Sequence, residues 1–374
     1  MPDGSRGGGL NSDPSASLIQ RARAVVAKWG VRLIVGYTVG VIGAVLALYL
    51  NIPLPWFLGA LVACLIAAVL NAPVQQPRLL SVPVRIVLGV AIGSSFTPEL
   101  LGQFGGMIGS LLMLVPFMVM IIAVGTAFFV RCAGFDRPTA FFCAVPGGLT
   151  DMVTMAADAG ANARVVTLIQ ATRILMIVAL VPFWFQWTGD RTIGGAAFRG
   201  VRLAEFGMID AAVLIGLGAS GWYLAKRIGL AGAPIIGPMI LSGLAHAAGL
   251  TSAKVPIELL IFAQTTLGIM LGAQFRGVTW KEFSTTLVWG IGFGLLLVVL
   301  TGVAAVGVAD LTGFDFGSVF LAYAPGGQAE ISLLGLLLGF DVAFIALHHL
   351  VRLTIVIFGA QIVFASNKSW RGDS

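Results

Sequence analysis

Charge is what this chain has least of. Lys, Arg, Asp and Glu make up 10% of its 374 residues, against about 25% in a soluble globular protein. That shortage excludes an ordinary water-facing fold. Metal and disulfide chemistry are equally thin. The three cysteines, Cys64, Cys132 and Cys143, have neither metal-ligand nor disulfide-framework spacing and read as small core residues. Three histidines do not make a ligand set for copper or iron. There is no compact basic domain outside the apolar segments. The net charge of +6 is therefore no nucleic-acid signal, because the basic residues sit in short loops and termini where membrane topology accounts for them. No cofactor, metal or nucleic-acid partner is expected, and no enzyme activity.

Apolar length is abundant instead. The chain is 58% hydrophobic, with a mean hydropathy of +0.99. Runs such as Val31–Leu50, Met107–Val130, Val165–Phe185 and Phe283–Val308 reach the roughly 20 residues that cross a bilayer. A β-barrel would show alternating segments of about 10 residues. The fold class is an all-α polytopic membrane protein, and its first partner is the lipid bilayer. Residues 1–30 are Gly/Ser-rich and then basic (Arg21, Arg23, Lys28). They read as a disordered cytoplasmic tail, since the run that follows is too long for a signal peptide.

Twelve apolar segments can be drawn, six on each side of the polar stretch "QWTGDRTIGGAAFRGVRLAE" (Gln186–Glu205). This gives a first membrane unit over 31–187, a linker over 188–207, a second unit over 208–366 and a tail over 367–374. The units match each other at one shift. Gly89, Gly93 and Phe96 fall on Gly268, Gly272 and Phe275. Gly134-Phe135-Asp136 falls on Gly313-Phe314-Asp315, Gly160 on Gly339, and Arg173 on Arg352. The constant register, Pro146 to Pro325 being 179 residues, reads as a duplication.

The basic side switches between the units. Arg78, Arg85, Arg131 and Arg137 follow the second and fourth segments of the first unit; Lys226, Arg227, Arg276 and Lys281 follow the first and third of the second. Positive charge favours the cytoplasm, so the units read as inverted repeats, a transporter architecture. Inversion needs an odd number of crossings per unit. Ten to twelve transmembrane segments are expected, and in each unit the segment holding Pro-Gly-Gly is the candidate re-entrant turn.

Those segments carry the chemistry. "AVPGGLTDM" (Ala144–Met152) and "YAPGGQAEI" (Tyr323–Ile331) each interrupt apolar sequence. Proline removes an N–H and clashes with the preceding turn. Gly147, Gly148, Gly326 and Gly327 free the backbone, with positive φ allowed. Irregular backbone at membrane depth is tolerated where it is buried in protein or lines a cavity. Asp151 and Glu330 follow each break. Either they cap the half-helix that starts there, or, with Gln328, they hold an ion, proton or substrate. Arg173 and Arg352 lie 22 residues beyond those acids. Each calls for a partner, the symmetric choice being a break carboxylate in a packed ion pair; the alternative is a clamp on a substrate carboxylate. His349 stands where the first unit has Gln170, either as a proton relay or as a packed neutral ring. Gly89/Gly93 and Gly268/Gly272 suit close helix packing. Asp136 and Asp315 read as helix N-caps.

"LPWFLGAL" (Leu54–Leu61), "VPGGLTDM" (Val145–Met152) and "APGGQAEISLLGLLLGFDVAFIALHHLVRL" (Ala324–Leu353) resemble the bacterial membrane AbrB family, over about residues 31–365. The resemblance implies a multi-pass protein of the bacterial inner membrane. The family's labels, AbrB-type regulator and ammonia monooxygenase, imply regulation of gene expression or an oxidation. The ligand set for the second and a DNA-binding element for the first are missing from the residues. A more distant resemblance, confined to Pro146–Asp151 and Pro325–Glu330, is to bile-acid/sodium symporters and cation/proton antiporters. It implies broken helices meeting near the bilayer midplane, and the acids after each break favour proton over sodium coupling. The expectation is a transporter-like protein for a small, anionic solute, with a homo-oligomer allowed. The alternative is a membrane-embedded regulator without transport.

Overall fold

The computed structural model describes residues 14–96, 98–187, 201–230 and 232–366; the side chains of 14–29, 98–104, 149–151 and 365 lie outside that description. The expected linker 188–207 is thus described only from Val201, and the expected tails over 1–13 and 367–374 also lie outside it.

Every described element is helical. Up to the linker these are α1 (Pro14–Tyr49), α2 (Pro55–Val69), α3 (Ser81–Gly93), α4 (Pro98–Arg131), α5 (Arg137–Ala144), α6 (Leu149–Asp158) and α7 (Ala163–Trp187). After it come α8 (Met208–Arg227), α9 (Ala233–Ala247), α10 (Ile257–Gly272), α11 (Trp280–Thr312), α12 (Phe316–Tyr323), α13 (Gln328–Leu338) and α14 (Val342–Ser366). Seven are long and apolar enough to cross a membrane, the first over Gly30–Tyr49. The protein is a multi-pass membrane protein. Each of the twelve apolar segments contains a helix, and the fifth and eleventh are split in two. One expectation is corrected at the N-terminus. Residues 14–30 continue α1 rather than forming a tail: Pro14 suits the first helical position, and the Ala, Arg, Leu and Gln that follow are strong helix formers.

The splits are folded the same way. Gly134 (φ 69°) and Gly313 (φ 74°) take the left-handed conformation after α4 and α11. Asp136 then caps α5 by accepting from Thr139 N at 3.1 Å, and Asp315 caps α12 by accepting from Ser318 N at 3.0 Å. Thr139 Oγ1 accepts from Asn162 N at 2.9 Å, and Ser318 Oγ from Asp341 N at 3.1 Å. These last bonds tie the start of the first half-helix to the residues just after the second. So α5 and α6 form a helical hairpin, and so do α12 and α13. Eight residues of helix carry each tip about 12 Å from its mouth.

Glycine contacts give the relative directions. Gly268 faces Phe57 and Gly272 faces Leu61, so α10 runs parallel to α2. Gly89 faces Ile235 and Gly93 faces Met239, so α3 runs parallel to α9. Gly290 and Gly294 face Thr172 and Met176, so α11 runs parallel to α7. The two longest membrane helices run opposite ways: Gly106 faces Phe314, Gly109 faces Thr312 and Gly125 faces Phe293, which makes α4 antiparallel to α11. Phe128 lies 6.1 Å from Phe293 and 6.0 Å from Trp289, in keeping with that direction.

Packing sorts the helices into two bundles. One contains α1–α3 and α8–α10; the other contains α4–α7 and α11–α14. The joins between them are sparse and pass chiefly through α3 with α13 and α14, and α4 with α9. Inside the first bundle the backbones nearly touch. A Cβ at Gly89 would stand 2.4 Å from Ile235 O, and one at Gly268 2.5 Å from Phe57 O. The small residues expected to pack closely do so, each across the chain's midpoint.

Gly89→Ala and Gly268→Ala are therefore expected to destabilise by about 1–3 kcal/mol through overpacking. Gly216→Ala, whose Cβ meets nothing within 4 Å, is expected to be neutral or slightly stabilising. Thermal unfolding of the detergent-solubilised protein measures all three.

Candidate functional site

A broken helix leaves carbonyls without amide partners. At the first break α5 ends at Ala144, and Gly147 N turns back to Val145 O at 3.0 Å. Side chains from α7 supply the missing donors. Gln170 Nε2 donates to Phe142 O at 2.8 Å and to Val145 O at 2.9 Å, and Arg173 Nη1 donates to Val145 O at 3.3 Å. At the second break Gly326 N turns back to Ala324 O at 2.8 Å. Here α14 supplies the donors. His349 Nε2 donates to Leu321 O at 2.9 Å, and Arg352 donates through Nη1 to Ala324 O and through Nη2 to Gly326 O at 2.7 Å. A positive side chain at a helix C-terminus also opposes the negative end of the helix dipole.

Neither arginine forms a salt bridge with Glu330, which corrects the expected pairing at the second break. Both guanidiniums are buried, Arg173 at 1% exposure and Arg352 at 4%, and both are held by backbone carbonyls. Among the described residues the one salt bridge is Arg164–Glu282, at 2.9 Å, far from the breaks in sequence. These carbonyls lie nearer to the guanidiniums than any described acid. The side chain of Asp151 lies outside the described residues. Glu330 is half-buried in the first turn of α13, its carboxylate filling the space that a Cβ on Gly327 would need. That position suits the capping role.

The glycines are also corrected in detail. Gly148 (φ −63°) and Gly327 (φ −69°) are extended, and neither Gly147 nor Gly326 has positive φ. Glycine is needed for space: a Cβ at Gly147 would meet Met152 at 2.7 Å, and one at Gly326 would meet Ile331 at 2.7 Å. Each hydrophobic residue five places on closes over its glycine. Gln328 is half-buried with its Oε1 near Gly232 at the start of α9.

His349 is committed on both ring nitrogens. Its Nε2 donates to Leu321 O, and its Nδ1 accepts from Arg352 Nη2 at 3.3 Å. A proton on Nδ1 would face a guanidinium. His349 thus does for Leu321 O what Gln170 does for Phe142 O, and the relay reading loses its geometry. Three neighbouring residues went unread in the sequence as a group. Tyr323 donates its hydroxyl to Ser110 O, Ser110 Oγ meets His348 Nε2 at 2.6 Å, and His348 Nδ1 donates to Phe344 O at 2.8 Å. They tie the second hairpin to α4 and α14. The available signal was asymmetry, for the matching positions of the first unit hold Ala144 and Ile169.

What remains open is polar and positive. Arg173 Nε, Arg352 Nε, Gln170 Oε1 and Gln328 Nε2 are buried without a hydrogen-bond partner. The two guanidiniums lie within electrostatic range of each other. The N-termini of α6 and α13 begin at the same breaks, each presenting the positive end of a helix dipole. Such a setting suits a small anion. Among the described residues no cluster of His, Cys, Asp and Glu is arranged to hold a metal ion.

Comparison with known proteins agrees with the membrane architecture. The model of a family described as "Transition state regulatory protein AbrB" matches residues 56–366. The chain is 27% identical to "Uncharacterized protein YhjN" of Bacillus subtilis (strain 168), over 82% of this chain and 85% of that protein. It is 23% identical to "Putative regulator AbrB" of Escherichia coli (strain K12), over 84% of this chain and 90% of that protein.

His349→Gln is expected to keep near-native stability, because glutamine already fills this role at position 170. His349→Ala is expected to lose about 1–3 kcal/mol by leaving Leu321 O unpaired. Arg352→Gln is expected to cost more than Arg173→Gln, since Arg352 serves two carbonyls and His349. Thermal unfolding in detergent ranks the four variants.

Proposed function

The chain belongs to the AbrB membrane family, and from that premise we propose that it is an inner-membrane transporter of a small anionic solute. The observation that carries this reading is the pair of hairpins whose tips hold two buried guanidiniums without acid partners among the described residues.

The reading takes the two units as inverted repeats. Contacts within the second hairpin repeat those within the first at the 179-residue offset, down to Gln170–Phe142 and His349–Leu321. The corresponding helices α4 and α11 are antiparallel. With α5–α6 and α12–α13 as re-entrant hairpins, each unit crosses five times: α1–α4 and α7, then α8–α11 and α14. Five is odd, so the second unit enters inverted without a spanning linker. The hairpins then enter from opposite faces and meet at the arginines near the midplane, as substrate sites do in such transporters.

Charge supports the same topology. Arg78, Arg131, Arg137, Arg164, Lys226, Arg227, Arg276 and Lys281 fall on one face, taken as cytoplasmic. Asp210, Glu258, Asp310, Asp315 and Asp341 fall on the other, together with the basic Arg202 and Lys254; Arg191 and Arg199 lie outside the described residues. In this reading Arg173 and Arg352 draw the anion through their free Nε–H groups. Glu330 and Asp151, at the helix starts, bind the coupling proton. The sparsely joined bundles slide past each other, so that the hairpins meet one side and then the other.

The family description and the name of the Escherichia coli relative favour a second reading, a membrane-embedded regulator of gene expression that transports nothing. Flux separates the two. Proteoliposomes with an imposed pH gradient are offered labelled acetate, lactate, succinate, citrate and phosphate. Uptake of at least one is expected, reduced tenfold or more by Glu330→Gln and abolished by Arg173→Gln. No uptake of any of the five and no proton movement, in protein that elutes as a single folded species, would sink the transport reading.

A further inference from the structure

A cleft of about 730 Å³ opens between α4 and α14, on the flank of the hairpin bundle. That size is typical of sites for small organic ligands. Its walls include Met118, Ile122, Ala127, Ile355, Gly359 and Val363. Arg131 and Arg137, at the end of α4 and the start of α5, also line it. Both are exposed. Val145, buried at the first break, is also in the lining.

The lining decides what fits. Apart from the two arginines its one polar side chain is Thr126, and that hydroxyl already donates to Ile122 O at 2.7 Å. A small hydrophilic ion would find nothing to replace its water along such a wall, so the cleft is not a path for the anion proposed above. Val119, in the lining, is 64% exposed, and Phe358 and Ile362, next in sequence to the lining residues Gly359 and Val363, are 61% and 65% exposed, so this flank faces hydrocarbon. No acid lines it. An apolar trough beside the bilayer, closed at one end by two exposed arginines, is complementary to an amphiphile with an anionic head.

We infer that this cleft is a binding site for an anionic phospholipid, its phosphate paired with Arg131 and Arg137 and one acyl chain laid between α4 and α14. Basic pockets between membrane helices hold anionic headgroups by the same charge complementarity. The arginines flank the mouth of the first hairpin. A lipid seated there would brace α5 against α4 and α14. The inference does not depend on transport.

The test titrates the full-length protein in detergent with dioleoyl phosphatidylglycerol or dioleoyl phosphatidylcholine and counts bound lipid by native mass spectrometry. The anionic lipid is expected to bind on the order of tenfold more tightly, from two arginines near the surface. The double variant Arg131→Gln/Arg137→Gln should lose that preference, and Arg131→Lys/Arg137→Lys should keep most of it. Gly359→Leu should displace either lipid by filling the trough, since a side chain at Gly359 meets nothing within 4 Å and the fold has room for it. Millimolar inorganic phosphate should not compete. Equal binding of the two lipids, a preference that survives removal of both arginines, or full binding in Gly359→Leu would each overturn the site. Displacement by inorganic phosphate would make it an anion site without a lipid.

Discussion

Carbonyl groups that water cannot reach must find donors elsewhere in the protein. Proline at 146 and 325 ends a helix inside the apolar bundle, and the last carbonyls of α5 and α12 have no amide to accept from. The structure answers with side chains from the next full helix: Gln170 and Arg173 on α7, His349 and Arg352 on α14. Each pair is three residues apart, on one face of its helix. This need explains why ionised residues persist in sequence that is otherwise apolar. Arg352 accordingly turns Nη1 and Nη2 to the backbone rather than to Glu330.

The same bonds fix the site's electrostatics. A guanidinium held by neutral carbonyls leaves its positive charge unbalanced, whereas a carboxylate partner would offset it. Two such groups within range of one another, beside two helix N-termini, make a region that favours negative charge. The remaining free donors are single Nε–H groups, so they set direction as well as attraction. The glycines serve closeness rather than unusual dihedrals, letting Met152 and Ile331 fold over the breaks. The triad of Ser110, Tyr323 and His348 anchors the second hairpin to α4 and α14. The matching positions of the first hairpin, Ala144 and Ile169, hold no such groups. The two hairpins are therefore alike in their breaks and unlike in their mooring.

Much of this was legible in residues. Apolar runs located each helix, and the Pro-Gly-Gly pair located both breaks. Asp136 and Asp315 read correctly as caps because capping is local. The partner of Arg352 did not, because charge pairing is the obvious inference from sequence and backbone carbonyls leave no trace in it. His349 misled for a related reason: a histidine suggests titration, but its match with Gln170 suggested a plain donor, and the match was the better guide. Residues 14–30 were misread because Gly and Ser at the very start masked a strong helix-forming run behind them. Nor could the two-bundle packing be read, since contacts such as Gly89 with Ile235 join residues far apart in the chain.

The account stands on the two hairpins entering from opposite faces, and sidedness tests it most directly. Cys132 is exposed at the mouth of the first hairpin, while Cys64 and Cys143 are buried. Leu311, 179 residues beyond Cys132, is 73% exposed near the mouth of the second. One variant keeps Cys132 with Cys64 and Cys143 replaced by alanine; the other lacks all three and carries Leu311→Cys. A membrane-impermeant maleimide is applied to vesicles of known orientation. The account predicts labelling of Cys132 from the cytoplasmic face and of the Leu311→Cys variant from the opposite face. Labelling of both from the same face would contradict it.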